Sequence, residues 1–517
     1  MHEDGGFGFD RRTILSLAGG AIAAVTTQPG RAHAATPASD IVMMDAASLA
    51  AAIAARRVSC AEVMSAFLAH IATLNSKVNA IVALQAPDDL MAQARAHDAV
   101  LARGEAIGPL HGLPHAVKDL AWVKGIRSTS GSLIFKDFVP THDALFVERL
   151  RAAGAIFIGK TNAPEFGLGS HTYNRVYGAT RNAYGPSVSA GGSSGGAAVA
   201  LALRMVPLAD GSDFGGSLRN PAGWNNVFGF RPSWGVVPAA GPEVWLPGMG
   251  VAGPMARNVP DLAMLLAVQA GYDPRAPLSL DEPGGRFRAP LEADFREARI
   301  GWLGDFAGWA PYEPGVLELC RTALKSFEAL GCVVEEAIPA MAPEPVWQAF
   351  ITLRAWMEGV NLAEFYRDPA HRALLKPEAI WEAELGLRTT GEEITAASVV
   401  RTQWSSAMRR LFARYDYLVA PTAQVFPFAI EQTWPHEIAG HPMATYHEWM
   451  KAVCLITMSG CPALAVPAGF GAAGLPMGLQ IIAPVHQEMA CLKLAHAYDA
   501  ATGWTTRRPP PLLSGRG

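Results

Sequence analysis

Charge is scarce in this sequence, and neither sign dominates. Only 17% of the 517 residues are Asp, Glu, Lys or Arg, and the formal net charge is −4. No basic stripe is visible, so no nucleic-acid partner is expected. Cysteine is scarce too. The six thiols (Cys60, Cys320, Cys332, Cys454, Cys461 and Cys491) form no Cys-x-x-Cys metal pattern. Cys454 and Cys461 are the nearest pair, but buried free thiols are the expectation. The apolar run after Arg12 is too short and too Gly-rich to span a bilayer, so no stable membrane anchor is expected. The 51 glycines and 38 prolines are scattered and make no repeat.

What is present is core material. Half of the residues are hydrophobic, and the length exceeds the usual single-core size, which implies two domains or one unusually large sheet. The first 34 residues stand apart. Arg11-Arg12-Thr13-Ile14-Leu15 opens a mildly apolar stretch to about Val25, and Ala32-His33-Ala34 follows as a small-x-small cleavage site. This reads as a twin-arginine-like export signal and a periplasmic destination, with residues 35–517 as the mature chain. The segment holds three Arg and three acids, so removing it leaves the charge at −4.

Residues 45–84 carry a helical pattern, with Ser59-x-x-Glu62 as a capping box. Strand-like segments lie at 116–120, 155–160, 300–303, 333–334, 417–420 and 463–467. Residues 178–216 are dominated by Gly and Ser, with a helix-like run at 197–203; a long small-residue loop suggests function. Residues 345–415 read as largely helical. No clean linker appears, so residues 35–517 are expected to form one α/β unit.

Three segments carry chemistry. In Asp210-Gly211-Ser212-Asp213-Phe214-Gly215-Gly216-Ser217-Leu218-Arg219, two glycines before a serine turn the backbone and can aim several N–H groups at one point. A tight turn with a solvent-facing serine would give the same pattern. Gly191-Gly192-Ser193-Ser194-Gly195-Gly196 precedes a helix-like run and also fits Gly-x-Ser-x-Gly, a nucleophile elbow. Lys118 stands in an otherwise apolar strand, where a lysine is costly unless paired or neutral; a neutral lysine is a competent base. A pair with Asp119 is the alternative.

Together these segments resemble the amidase signature family. Gly112-Leu113-Pro114-His115-Ala116-Val117-Lys118-Asp119 matches its lysine segment, and residues 191–196 and 213–222 match its Gly/Ser-rich hallmark. Further matches lie at Gly159-Lys160-Thr161-Asn162-Ala163-Pro164-Glu165-Phe166, Gly178-Ala179-Thr180-Arg181-Asn182, Ala420-Pro421-Thr422, Gly460-Cys461-Pro462-Ala463 and Gly474-Leu475-Pro476-Met477-Gly478-Leu479-Gln480. The resemblance covers about residues 45–505. It implies one large mixed β-sheet covered by helices on both faces. It also implies Ser217 as nucleophile, Ser193 as a bridging serine on a cis peptide after Gly192, and Lys118 as base. The oxyanion would be received by backbone N–H groups of Phe214, Gly215, Gly216 and Ser217, while Ser194, Asp213 and Arg219 support the loop. Such an acyl-enzyme mechanism needs no metal or organic cofactor.

Two other activities share parts of this pattern. An α/β-hydrolase-type esterase would use Ser193 with a histidine and tolerate loss of Lys118. The amide-transfer subunit of a tRNA-dependent amidotransferase shares the whole signature and works in a complex, but the export signal argues against it. A non-catalytic binding protein on the same scaffold is disfavoured by the intact Lys-Ser-Ser set. Phe214 stands where the family often has Thr, Phe166 lies in a matching segment, and Trp224, Trp234 and Trp245 follow nearby. With few charges between residues 187 and 246, the pocket is expected to be apolar and partly aromatic, suited to hydrophobic or aryl amides, with carbamates and esters as further candidates. A small-molecule amide is the expected partner, and a monomer or homodimer the expected state.

Overall fold

The computed structural model describes residues 38–514 apart from Pro247. The export-signal reading of residues 1–34 therefore lies outside the described residues. The helical run expected at 45–84 is divided. After α1 (Ala38–Met43), α2 (Ala46–Ala54) ends where Arg56 turns left-handed at φ 55°, and α3 (Cys60–Val78) restarts behind Ser59. The capping box explains the restart. Glu62 N–H donates to Ser59 Oγ at 3.1 Å, and Ser59 N–H donates to the Glu62 carboxylate at 2.8 Å.

A three-stranded sheet comes first in the chain. Its central strand β3 (Ile156–Thr161) lies antiparallel to β1 (Ile81–Val82) and parallel to β2 (Pro114–Lys118). Helices α4 (Pro87–Ala102) and α5 (Leu145–Ala152) punctuate these strands, and the buried α6 (Gly195–Ala202) follows. The Gly/Ser-rich stretch at 178–216 is not one long loop. Beyond α6 it contains β4 (Ala209–Asp213), whose polar sequence hid a strand that pairs antiparallel with β6 (Val251–Ala256). Between them lie α7 (Arg219–Trp224) and β5 (Phe228–Arg231).

β4 is the edge of an eight-stranded mixed sheet. After α8 (Val259–Gln269), β7 (Arg299–Trp302), α9 (Val316–Ala329) and β8 (Val333–Glu336) alternate, and β7 pairs parallel with both β8 and β9 (Tyr417–Pro421). Following a short hairpin of β10 (Glu437–Ile438) and β11 (His441–Pro442), the long strands β12 (Ala463–Phe470) and β13 (Pro476–Ile482) pair antiparallel at the centre. The sheet order is β4-β6-β5-β12-β13-β9-β7-β8. Every residue of β13 is buried, as are all but the last of β12. Such continuous burial requires cover on both faces; α7, α9 and α15 (Glu488–Thr502) pack on these two strands. The chain is thus α/β, with one large mixed sheet and its helices.

Residues 343–411 form four helices: α10 (Pro343–Arg367), α11 (Pro369–Arg372), α12 (Pro377–Arg388) and α13 (Gly391–Leu411). This layer docks on the rest by polar anchors. Lys376 N–H donates to Glu165 at 2.7 Å, and Lys376 Nζ donates to the Leu168 carbonyl at 2.7 Å. Helix α14 (Lys451–Ser459) lies against both α10 and α13. Among the described residues, no helix is long and apolar enough to cross a membrane, and all six cysteines are buried and free.

Candidate active site

The turn after β4 is held from inside by Asp213. Its carboxylate accepts from Gly216 N–H at 2.9 Å and Leu218 N–H at 3.1 Å, from Arg219 Nε and Nη2 at 3.0 Å each, and from Arg231 Nη1 at 3.2 Å. Burial alone would raise this carboxyl. Arg219 and Arg231 outweigh that and hold it well below the usual carboxylate range. Arg219 continues to Gln480 Oε1 at 2.8 Å, Thr457 Oγ1 at 2.8 Å and the Val453 carbonyl at 2.9 Å. Position 216 demands glycine twice over. Its φ is +102°, and a Cβ there would lie 2.4 Å from Val453 Cγ2.

Ser217, 8% exposed, follows at the end of this turn and lines a cavity of about 820 Å³. The oxyanion set expected from sequence needs one correction. The Gly216 N–H is spent on Asp213. The amides of Phe214, Gly215 and Ser217 make no hydrogen bond among the described residues and remain free to meet a developing oxyanion.

Strand β2 delivers Lys118 to the same cavity, with the side chain 1% exposed. Its Nζ lies 2.8 Å from Ser193 Oγ, 2.8 Å from Ser194 Oγ, 3.0 Å from Ser212 Oγ and 3.3 Å from the Ser212 carbonyl oxygen. Among the described residues it has no ion-pair partner. Burial pushes the amine down to about 7, against the opposing pull of Asp210 and Asp213. Asp119 does not pair with it. That carboxylate turns away to Thr129 Oγ1 at 2.5 Å and lies 3.8 Å from Lys160.

Ser193 sits on a cis peptide bond after Gly192, as the family pattern implies. Isolated bridges and irregular backbone, not a strand, precede it, and none of its side-chain hydrogen bonds involves a histidine among the described residues. A nucleophile elbow is therefore absent at Ser193. Ser194 does more than support the loop, since its hydroxyl touches the lysine directly and its N–H donates to the Ser217 carbonyl at 3.3 Å. Ser193 and Ser217 both line the cavity, but no hydrogen bond joins their side chains among the described residues.

Sequence reasoning passed over Ser212 and Asp210 as individual site residues. Asp210 accepts from the Lys118 backbone N–H at 3.2 Å and lies 2.9 Å from His115 Nε2, tying β2 to β4. A two-residue spacing puts 210 and 212 on one face of a strand, a signal that could have been read once β4 was recognised. Arg354 and Glu358 on α10 also reach the cavity, and nothing in the sequence motifs marked them. Phe166, Phe214 and Trp234 are in the wall. Trp224 is not; it is fully buried against Trp449 and belongs to the core. Trp245 is 68% exposed.

Fold and site together define a class of enzyme that acts on carbon–nitrogen amide bonds, and comparison with known proteins specifies it. Residues 62–492 match the amidase family, and the chain belongs to that family. It is 34% identical over 485 residues to a glutamyl-tRNA(Gln) amidotransferase subunit of Methylococcus capsulatus, in an alignment covering 90% of this chain and 98% of the relative. A bacterial aryl acylamidase of the amidase signature family superposes with a TM-score of 0.85 at 29% identity, covering 92% of this chain and 99% of that one. A 6-aminohexanoate cyclic dimer hydrolase superposes with a TM-score of 0.79 at 26% identity, covering 91% and 99%.

Proposed function

We propose that the chain hydrolyses hydrophobic or aryl carboxylic amides through an acyl-enzyme on Ser217, with Ser193 as proton relay and Lys118 as base. One observation carries the reading: Lys118, enclosed and without a carboxylate partner, stands 2.8 Å from Ser193 Oγ in the cavity that also holds Ser217. In the proposed reaction neutral Lys118 takes the Ser193 hydroxyl proton as Ser193 takes that of Ser217, whose oxygen attacks the carbonyl. The free amides of the turn receive the oxyanion. The relay then runs backward to protonate the leaving nitrogen, and water releases the acyl group. The link from Ser193 to Ser217 closes when substrate is bound, since catalytic hydrogen bonds commonly tighten only in the complex. The apolar wall with Phe166, Phe214 and Trp234 supports a bulky substrate. A fluorophosphonate should label Ser217, and Ser217→Ala should lose both the adduct and amide turnover. Mass-spectrometric adducts on Ser193 instead would sink the assignment.

The sequence relatives favour a second reading, in which the chain is an amide-transferring subunit that works in a complex, as the name of the amidotransferase relative indicates for that protein. The two part on one measurement. The isolated mature chain should hydrolyse acyl anilides on the first reading. On the second, the isolated chain should leave anilides untouched and release ammonia from glutamine only with a partner. The first reading also takes residues 1–34 as an export signal, on the strength of Arg11-Arg12 and Ala32-His33-Ala34. N-terminal sequencing of the exported protein should then begin at or near Ala35; an intact Met1 terminus in the mature enzyme would exclude it.

A further inference from the structure

Helix α10 runs past the oxyanion turn with one stripe of side chains, Phe350, Arg354 and Glu358, each four residues after the last. Four residues make just over one turn, so the three stand one above another at steps of about 5–6 Å. Phe350 meets the turn itself. A Cβ built on Gly215 would lie 3.4 Å from Phe350 Cζ, and the Phe350 and Phe214 rings are 6.2 Å apart, edge to face. One turn on, the Arg354 guanidinium covers the Phe214 ring at 4.9 Å. One turn further, Glu358 lines the cavity.

The last two differ in how they are answered. Arg354 is buried and engaged: its Nε donates to Glu382 at 2.8 Å, and its Nη2 donates to Tyr446 Oη at 3.3 Å. Glu382 in turn accepts from Tyr446 and lies 2.9 Å from His447 Nε2. Glu358 has nothing comparable. It is half-buried, and among the described residues its carboxylate makes no hydrogen bond and no ion pair. Burial pushes its carboxyl up, Arg354 pulls it down and Glu382 pushes it up again. A carboxyl that faces the cavity without a protein donor has its acceptor oxygens available to a ligand that displaces water there.

Resting on the amide-hydrolysis reading above, we propose that Glu358 is a specificity residue, which accepts a hydrogen bond from an N–H or O–H group on the distal part of the amide substrate. The substrate class narrows accordingly, to bulky and largely apolar amides that carry one uncharged polar donor, such as an aromatic amine or phenol, away from the scissile bond. Glu358 positions the substrate and takes no part in the proton relay.

The test uses pairs of matched size on the mature enzyme. One pair places para-amino or para-methyl on the aniline ring of an acetanilide; the other places the same groups on the ring of a phenylacetyl anilide. Amino and methyl differ little in volume, and their electronic difference is common to wild type and variants, so the change in the kcat/KM ratio between enzymes reads the hydrogen bond. In at least one pair, wild type should favour amino by about tenfold or more, because a site built to bind a donor discriminates strongly against its absence. Glu358→Leu should abolish or invert that preference, and Glu358→Gln, which keeps an acceptor oxygen, should retain most of it. A merely structural role would lower both members of a pair together and leave the ratio unmoved; that result, or no preference for amino in either pair, overturns the proposal. If the methyl anilides are turned over and Ser217→Ala stops them, the parent reading stands whatever the ratio. Absence of any anilide turnover overturns both.

Discussion

Two lysine pockets lie side by side in this molecule, and they are put to different use. Lys118 on β2 and Lys160 on β3 occupy neighbouring parallel strands, where Val117 faces Lys160 and Lys118 faces Thr161. Both side chains are almost wholly enclosed, at 1% and 0% exposure. Burial pushes Lys118 down to about 7 and Lys160 to about 8. The partners differ. Lys160 donates to the Ala121 carbonyl, lies 3.8 Å from Asp119 and donates to Ser128 Oγ at 3.1 Å; the proton of that hydroxyl is given to the Ile126 carbonyl at 3.0 Å. Lys118 has hydroxyls and a carbonyl around it, and two of those serines, Ser193 and Ser212, line the cavity that holds Ser217. A depressed pKa is thus only half of what a base requires. The other half is a proton within reach that leads to the substrate.

Removing Lys118 should have the greatest consequence. Lys118→Ala should lower kcat by about 10²–10⁴-fold or more, the range for loss of a positioned base. In the wild type, kcat/KM should rise with pH and level off above about 7, because only the neutral amine accepts a proton and that form dominates above its pKa. Retained turnover with an unchanged pH profile in Lys118→Ala would remove lysine from the mechanism. Lys160→Met should behave in the opposite way. It strands the buried Asp119 carboxylate without its cation, at a cost of about 3–5 kcal/mol in stability. The protein that does fold should keep the wild-type pH profile. A thermal melt and a pH–rate profile on each variant separate the two, and a Lys160→Met enzyme with a displaced profile would show that both lysines belong to the relay.

The same contrast shows what the sequence made legible. Lys118, Ser193 and Ser217 stand in motifs with distinctive neighbours, so their convergence was predictable from the chain alone. The central strand β12, the more peripheral β7 and the capped start of α3 were legible as well, through apolar runs and the Ser59–Glu62 box. β4 was not. Ala209-Asp210-Gly211-Ser212-Asp213 has neither the β-branched residues nor the alternation of a strand, and it holds its place by pairing with β6 and by Asp210 reaching back to β2. With β4 hidden, the contacts of Ser212 and Ser194 with the lysine were hidden too. The family resemblance offers the Gly216 amide to the oxyanion because a motif does not show that the Asp213 carboxylate reaches that N–H first. Arg354 and Glu358 lay furthest from view, since only the fold brings a helix some 130 residues downstream against the turn.

A milder change is expected at Phe214, where the wall of the cavity meets the turn that carries Ser217. Its ring is half-buried between the Arg354 guanidinium and Phe350, so it serves the pocket and the helical layer at once. Replacing it leaves the backbone amide in place, which is all the proposed oxyanion site takes from position 214. In an apolar pocket each added methylene is worth about 1–3 kcal/mol, so wild-type kcat/KM should climb from acetyl to longer acyl anilides. Phe214→Thr removes most of that apolar surface and uncovers the guanidinium. The climb with acyl length should become shallower, while fluorophosphonate labelling of Ser217 stays within about threefold of wild type, since the chemistry of the nucleophile is untouched. A variant that loses labelling and length preference together would mean that the ring holds the turn in shape. A wild-type enzyme that prefers acetamide or a charged amino-acid amide by about tenfold would mean that the wall does not select for apolar bulk. Selection would then fall to the polar groups on α10.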